Sequence, residues 1–171
     1  HQTQSDSLSW QVHCEKFCKE HNINFSCKSV EIKESGQGYE ASARSARLDI
    51  FNAFDEATVI ILGHHLDDQV ETVFFRVLRG TGLKGLTGMQ RHLKIKDKDF
   101  IRPLLHLTKE EIFKQATEYK LSFIEDQSNT DNAYSRNFLR NKIIPQISKR
   151  WPGAKKNTAR MANLLSKQSS L

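Results

Sequence analysis

No stretch of this 171-residue chain approaches the ~20 consecutive apolar residues that a membrane-spanning helix needs. The opening HQTQSDSLSW lacks the basic start and apolar run of a secretory signal. It also lacks an initiator methionine, so the chain is expected to begin inside a longer protein. Cysteine is scarce: Cys14, Cys18 and Cys27 are odd in number and show no CxxC spacing, which excludes a disulfide framework. Cys14 and Cys18 would share a helix face and could offer two metal ligands. The simpler reading is three ordinary reduced thiols of a cytoplasmic protein. Acidic residues are absent from the end of the chain, the last being Asp131.

What is present is polar and globular in character, 37% hydrophobic and 27% charged, with a net charge of +6. After Asp131 come Arg136, Arg140, Lys142, Lys149, Arg150, Lys155, Lys156, Arg160 and Lys167, with no opposing charge. All the acids therefore lie in the body, and a slightly acidic body with a wholly basic end suggests a polyanionic partner. A solvated basic helix explains the same residues.

Periodicity orders the chain. Residues 6–21 suggest a helix and FSCKSVEI (25–32) alternates as a strand does. ESGQGYE (34–40) is a glycine-containing turn. EASARSARLDIFNAF (40–54) suggests a helix with Ala43, Ala46, Ile50 and Phe54 on one face. TVIILG (58–63) is apolar without alternation, as in a parallel strand buried on both faces. Residues 67–79 form the clearest helix, with Val70, Val73, Phe74, Val77 and Leu78 as its apolar stripe. GTGLKGLTGM suggests loop, and HLKIKDKDFIRPLL (92–105) a polar hairpin. Thr108 and Glu111 make a capping-box pair for a helix to about Lys120. LSFIEDQSNTDN suggests a strand end and then a turn-rich loop, with Ser128, Asn129 and Asp131 as loop and N-cap residues. A helix over 133–147 should be kinked or ended by Pro145, and a last helix should start near Trp151-Pro152. The strand–helix order indicates an α/β fold with right-handed crossovers.

GHHLDDQVETVFFRVLRGTGLKGLTGM (63–89) concentrates the chemistry. His64 and His65 fall at a strand's carboxyl end, where ligands bind in doubly wound sheets. Asp67, Asp68 and Glu71 sit in the first turns of the helix, where its dipole favours acids. Asp68 and Glu71 are also i, i+3 neighbours opposite the apolar stripe, and two converging carboxylates suit an ammonium group or a metal ion. His64, His65, Asp67 and Asp68 are suitable ligand types for a divalent metal. Adjacent histidines on an extended segment point to opposite sides, however, and no metal site is assigned. The glycines follow the helix, which favours caps and turns over a phosphate cradle.

This stretch closely resembles the signature of bacterial tRNA(Ile)-lysidine synthetases, within the PP-loop ATP-pyrophosphatase superfamily. GYEASARSARLDIF (38–51), FIRPLL (100–105) and EDQSNTDNAYSRNFLRNKIIPQI (125–147) resemble further family motifs in the right order. The resemblance implies a Rossmann-like α/β fold of the PP-loop ATPase type, with a parallel sheet. It divides the chain into an α/β part, 1–130, and basic helices, 131–171, of the same catalytic region. The activity implied is a ligase that joins L-lysine to C2 of the wobble cytidine of tRNA(Ile) with a CAU anticodon. ATP, with Mg2+, adenylates the carbonyl oxygen, and the lysine ε-amine then displaces AMP. The resemblance places Asp68 and Glu71 in the lysine pocket as catalytic residues, with Arg44 and Arg136 as substrate-site arginines. His64 and His65 would border the nucleotide, or serve as a structural pair. Arg140, Lys142, Lys155, Lys156 and Arg160 would meet the tRNA. A cytoplasmic location, no membrane partner, and room for a homodimer complete the expectation.

The family's Ser-Gly-Gly-x-Asp-Ser phosphate loop does not occur in this sequence. His1 resembles a point just beyond the family's second strand, so the first strand and the loop are expected to be missing. The chain alone is then expected not to turn over ATP. A PP-loop tRNA thiolase and a catalytically silent tRNA-binding module are the competing functions. A thiolase should carry cysteines near HHLDD, whereas all three lie within the first 27 residues.

Overall fold

The computed structural model describes residues 7–30, 39–54 and 59–168. They fall into two compact units, one from residues 1–56 with 122–124, the other from 57–121 with 125–171. In the first unit, α1 (Ser7–Glu20) and α2 (Tyr39–Asn52) match the helices expected from periodicity. Ala43, Ala46, Ile50 and Phe54 are the half-buried side of α2 and its exit, while Arg44 is exposed. Lys28 lies over the Phe54 ring, 5.1 Å from its centroid. The strand expected at 25–32 is not formed over residues 25–30, and 31–32 lie outside the described residues. Alternation makes a segment fit to be a strand, but a ladder needs a partner, and none of the described residues pairs with it. The turn expected at 34–40 also falls largely outside the described residues.

The second unit holds a three-stranded sheet in the order β1-β3-β2. β1 (Val59–Ile61) runs parallel to β3 (Lys98–Ile101), Ile60 facing Phe100 in register. β2 (His92–Ile95) and β3 form the expected hairpin, antiparallel and closed by Lys96-Asp97. Phe100 and Arg102 point into the unit at 2% and 4% exposure. β1 is less enclosed than its composition suggests: Val59 and Ile61 are exposed and Ile60 is half-buried. Among the described residues β1 pairs on one edge only.

α3 (Leu66–Leu78) is the hub. Leu66 and Val70 pack with Leu139 and Ile144, and Phe74, Phe75, Ile143 and Ala159 close around them. The expected apolar stripe holds for Val70 and Val73, but Val77 and Leu78 are 50% and 71% exposed. In their place Gln69, Glu71 and Thr72 are buried, because the first half of α3 is enclosed by several elements at once. α8 (Ala154–Gln168) packs along it, with Ala162 fully buried. The last helix thus starts after Gly153, and Pro152 lies in the preceding turn instead of at its first position.

The glycine-rich stretch wraps back onto α3. Gly80, at φ +72°, terminates the helix, and a short α4 (Leu83–Leu86) follows. The N–H groups of Gly80, Thr81, Gly85, Leu86 and Gly88 donate to carbonyls of residues 76–85. The Gln69 amide then pairs twice with the Met89 backbone, at 3.0 and 2.6 Å. Arg76 donates to the carbonyls of Gly85 and Gly88. These amide hydrogens are spent on the turn itself, so Gly80, Gly85 and Gly88 serve as turn formers.

α5 (Lys109–Glu118) starts at the expected capping box, Thr108 with Glu111. Residues 121–124 form no strand, and Leu121, Phe123 and Ile124 are exposed. A 3-10 turn, Gln127–Thr130, follows, capped by Asp126. Pro145 does not end the next helix, whose winding changes just ahead of it. α6 (Ser135–Phe138) passes through a π-helical turn (Leu139–Ile143) into α7 (Ile144–Arg150). A proline cannot donate to the carbonyl four residues back and its ring collides with it, and the wider turn relieves both. Among the described residues no helix is long and apolar enough to cross a membrane.

Gly88 has φ +62°, and a Cβ there would meet the Gln69 amide at 2.7 Å. Gly88→Ala should therefore destabilise the protein by about 2 kcal/mol through left-handed backbone strain and loss of the Gln69–Met89 pairing. Urea denaturation checks it, and an unchanged midpoint would contradict the role given to this strap.

Candidate functional site

The site begins with the cap of α3. His65 is the N-cap residue in extended backbone, its Nδ1 accepting from the Asp68 N–H at 3.4 Å. Asp68 Oδ2 in return accepts from the His65 N–H at 3.0 Å. This is a capping box in which histidine replaces the usual serine or threonine. His64 points elsewhere and accepts at Nδ1 from Arg102 Nε, at 3.2 Å. An acceptor Nδ1 leaves Nε2 to carry the proton in the neutral ring. The two histidines thus have different partners.

Glu71 and Asp67 are tied to different elements. Glu71, 1% exposed, receives a bidentate fork from Arg140: Nε to Oε1 at 2.6 Å and Nη2 to Oε2 at 2.9 Å. Arg140 Nη2 also stands 3.5 Å from Asp68 Oδ1. Asp67 accepts from Lys155 Nζ of α8 at 2.6 Å and from the Lys109 N–H, the start of α5, at 2.7 Å. Asp68 Oδ1 is consequently the least tightly held of these carboxylate oxygens.

Arg140 is itself positioned by the turn-rich loop. Its Nη1 donates to Asn129 Oδ1 at 2.9 Å. Asn137 donates to the carbonyls of Ser128 and Asp131, and Asn141 to the Asn129 carbonyl and Asn132 Oδ1. Ser128 and Asn129 therefore sit in the 3-10 turn and Asp131 caps Ala133. The N-cap residue of α6 is Tyr134, without a side-chain bond. The motif SNTDNAYSRNFLRN is a loop read and fixed by the helix that follows it. The π-helical turn carries Arg140 toward Glu71.

Burial pushes the Glu71 carboxyl above its ordinary range, with the Arg140 hydrogen bonds and charge opposing it. The hydrogen bond to Glu71 raises Arg140 in turn. For Asp67 burial also acts upward, but the Lys155 and Lys109 hydrogen bonds and nearby positive charge hold it below its ordinary 3.8.

These groups face a cleft of about 420 Å³ whose wall includes His65, Asp67, Glu71, Lys109, Arg140 and Lys155. Arg136 lies beside it, its guanidinium 5.5 Å from the Phe75 ring centroid and within electrostatic reach of Glu71. Arg44 belongs to the first unit. Among the residues expected to meet nucleic acid, Arg140 and Lys155 are engaged with Glu71 and Asp67, while Lys142, Lys156 and Arg160 are exposed. The sequence reading missed Asp67 as the anchor of Lys155, Arg102 as the partner of His64, and the asparagines that orient Arg140. The repeated Asn at 129, 137 and 141 was the available signal. Among the described residues no group of three or more His, Cys, Asp or Glu is placed to hold a metal ion.

Residues 1–147 match the family model of the PP-loop domain. A tRNA(Ile)-lysidine synthase of Legionella pneumophila (strain Lens) is 40% identical over 163 residues, 95% of this chain and 38% of that protein. The tRNA(Ile)-lysidine synthase of Histophilus somni (strain 2336) is 38% identical across 100% of the chain and 40% of its own length. The chain thus spans about two fifths of the length of these relatives. A solved structure, the U34-tRNA thiolase NcsA from Methanococcus maripaludis with its [4Fe-4S] cluster, is similar in fold at a TM-score of 0.66. It is 19% identical over 91% of this chain and 55% of that one.

Arg140→Met should cost about 3 kcal/mol, since it strands a buried carboxylate, and Glu71→Leu with Arg140→Met should recover most of it. Undiminished stability in the single variant would contradict the geometry. For Asp67 the sign is opposite to that of Glu71. Its depressed value adds stability that is present above 3.8 and lost as pH falls through the lower folded value. The stability gap between wild type and Asp67→Asn should therefore narrow in acid, measured by denaturation from pH 7 to pH 2. A gap independent of pH would contradict the Lys155 pairing.

Proposed function

The chain belongs to the PP-loop domain family, and on that footing we propose that it forms part of a cytoplasmic ligase that joins L-lysine to the wobble cytidine of tRNA(Ile) with a CAU anticodon. ATP is the activating substrate, in keeping with the family. The observation that carries the proposal is the constellation on α3. Asp68 presents a loosely held carboxylate oxygen 3.5 Å from the Arg140 that fixes Glu71, and Glu71 and Arg140 themselves line a cleft that carries both signs of charge.

A free amino acid needs such a mixture. Its ammonium groups require carboxylates, and its carboxylate requires a cation, best an arginine fork. Asp68 Oδ1 is suited to hold the side-chain ammonium and accept its proton. Arg136, oriented over Phe75, is suited to read the lysine carboxylate or the activated phosphate. His65 is committed to the cap and His64 to Arg102, so the part left to them beside a nucleotide is one of shape, and the same bonds serve a purely structural pair.

The cytidine carbonyl oxygen attacks the α-phosphorus of ATP and pyrophosphate leaves. The lysine ε-amine, having given a proton to Asp68, adds at C2, and AMP departs with the original oxygen. The carboxylates of α3 are engaged with Arg140, Lys155 and backbone N–H groups, which does not fit a Mg2+ ligand set, and no step is routed through one.

A thiolase is favoured less, because it exchanges that oxygen for sulfur and needs thiols or a cluster at the site. Cys14, Cys18 and Cys27 all lie within the first 27 residues of the sequence, and none stands in or beside HHLDD. A silent tRNA-binding module would leave the buried Glu71–Arg140 pair without chemical purpose.

In the full-length gene product, Asp68→Asn should lower lysine incorporation into a tRNA(Ile) CAU transcript by about 100-fold or more, with tRNA binding retained. Radiolabelled lysine and filter binding measure the two. Wild-type incorporation in the variant would remove Asp68 from the mechanism, and sulfur in place of lysine at the wobble base would overturn the ligase.

A further inference from the structure

A second cleft, of about 490 Å³, opens on a different face of α3, where Leu66 and Gln69 contribute in place of Asp67 and Glu71. Its charge differs from that of the first. Arg91, His106, Lys156 and Arg160 line it, and among the described residues no Asp or Glu does. Lys156 meets Glu111 at 3.8 Å with both side chains exposed, a pairing too weak to neutralise the wall. Lys156, Ala159, Arg160, Asn163 and Ser166 are one face of α8 at helical spacing, and residues 87–91 form the opposite wall.

These walls are fixed. Gln69 holds Met89 by two hydrogen bonds. Buried Arg102 donates from Nη1 to the Gln90 carbonyl and from its N–H to the Arg91 carbonyl, each at 2.8 Å. On the other side, Lys155 and Ala162 pin α8 to α3. The floor is apolar, from Leu66, Met89 and Ala159, and the Gln90 and Asn163 amides stand at the wall.

We propose that this cleft seats an unpaired nucleotide of the RNA substrate, with its flanking phosphates on Arg91, Lys156 and Arg160. The size lies within the ~300–1,000 Å³ typical of small-ligand sites. Unpaired bases are recognised by an apolar or aromatic platform together with amides that reach the base edge, and the phosphates by cations. The arginines supply forks for phosphodiester oxygens. An acid-free wall repels nothing along such a backbone. This inference rests on the proposed tRNA substrate for its occupant, and assigns Arg91 and the Lys156/Arg160 face to it.

The test uses the full-length gene product and a tRNA(Ile) CAU transcript, with affinity measured by filter binding across salt concentrations. Arg91→Gln with Arg160→Gln should weaken binding at least tenfold and flatten the salt slope by about 1.5, as expected for two lost phosphate contacts. The control pair Lys114→Gln with Lys167→Gln, equal in charge change but outside the cleft, should alter affinity less than threefold. A single-stranded RNA oligonucleotide should compete against the wild type, whereas inorganic phosphate and polyglutamate at equal charge should not. Equal losses in both pairs would overturn the cleft in favour of general electrostatics. Competition by polyglutamate would replace RNA with an acidic protein segment, and competition by inorganic phosphate alone would reduce the cleft to a free-anion site; each overturns the proposal. Lysine incorporation should remain at the wild-type level in the control pair. Absence of incorporation in the wild type, with the cleft effect intact, would strike only the proposed ligase.

Discussion

A glutamate with 1% of its surface exposed must find a counter-charge, and the second unit is arranged around that requirement at Glu71. Arg140, which lies in the π turn ahead of Pro145, answers it with a two-point fork. The loop before that helix is in turn held by Asn137 and Asn141, leaving Asn129 to fix the remaining guanidinium nitrogen. One buried charge therefore links α3, the 3-10 turn and the helix of residues 135–150. Ion pairs of this kind add little net stability compared with apolar packing. What this one supplies is a carboxylate and an arginine held in fixed places beside a cleft.

Asp67 extends the same logic to α5 and α8 through Lys109 and Lys155. The result is two clefts on one helix with contrasting electrostatics. The first mixes carboxylates with cations, which suits a zwitterion. The second is cationic over an apolar floor, which suits a nucleotide and its phosphates. A reaction between an amino acid and an RNA base needs both kinds of surface, and α3 carries residues of each.

Much of this was legible from residue order alone. The capping box at Thr108, the hairpin at 92–101 and the glycines as turn formers follow from local chemistry, and local chemistry survives folding. Asp68 and Glu71 stood out because i, i+3 acids at a strand's end converge. What depended on distant partners was not legible. Nothing in the alternation of 25–32 says whether another strand will pair with it. The apolar stripe of α3 did not indicate that Val77 and Leu78 would be exposed while Gln69 and Glu71 were buried. Arg140 and Lys155 looked like two more charges of a basic tail, because the acids that hold them lie 69 and 88 residues away.

The account rests on the acidic face of α3 receiving an amino-acid ammonium. The most direct measurement is carbon NMR of the side-chain carboxyls of Asp68 and Glu71 in the full-length protein during titration with L-lysine. Saturable shifts at Asp68, with smaller ones at Glu71, are expected with lysine and absent with norleucine, which lacks the ε-amine. Shifts from both amino acids alike, or from neither, would contradict it.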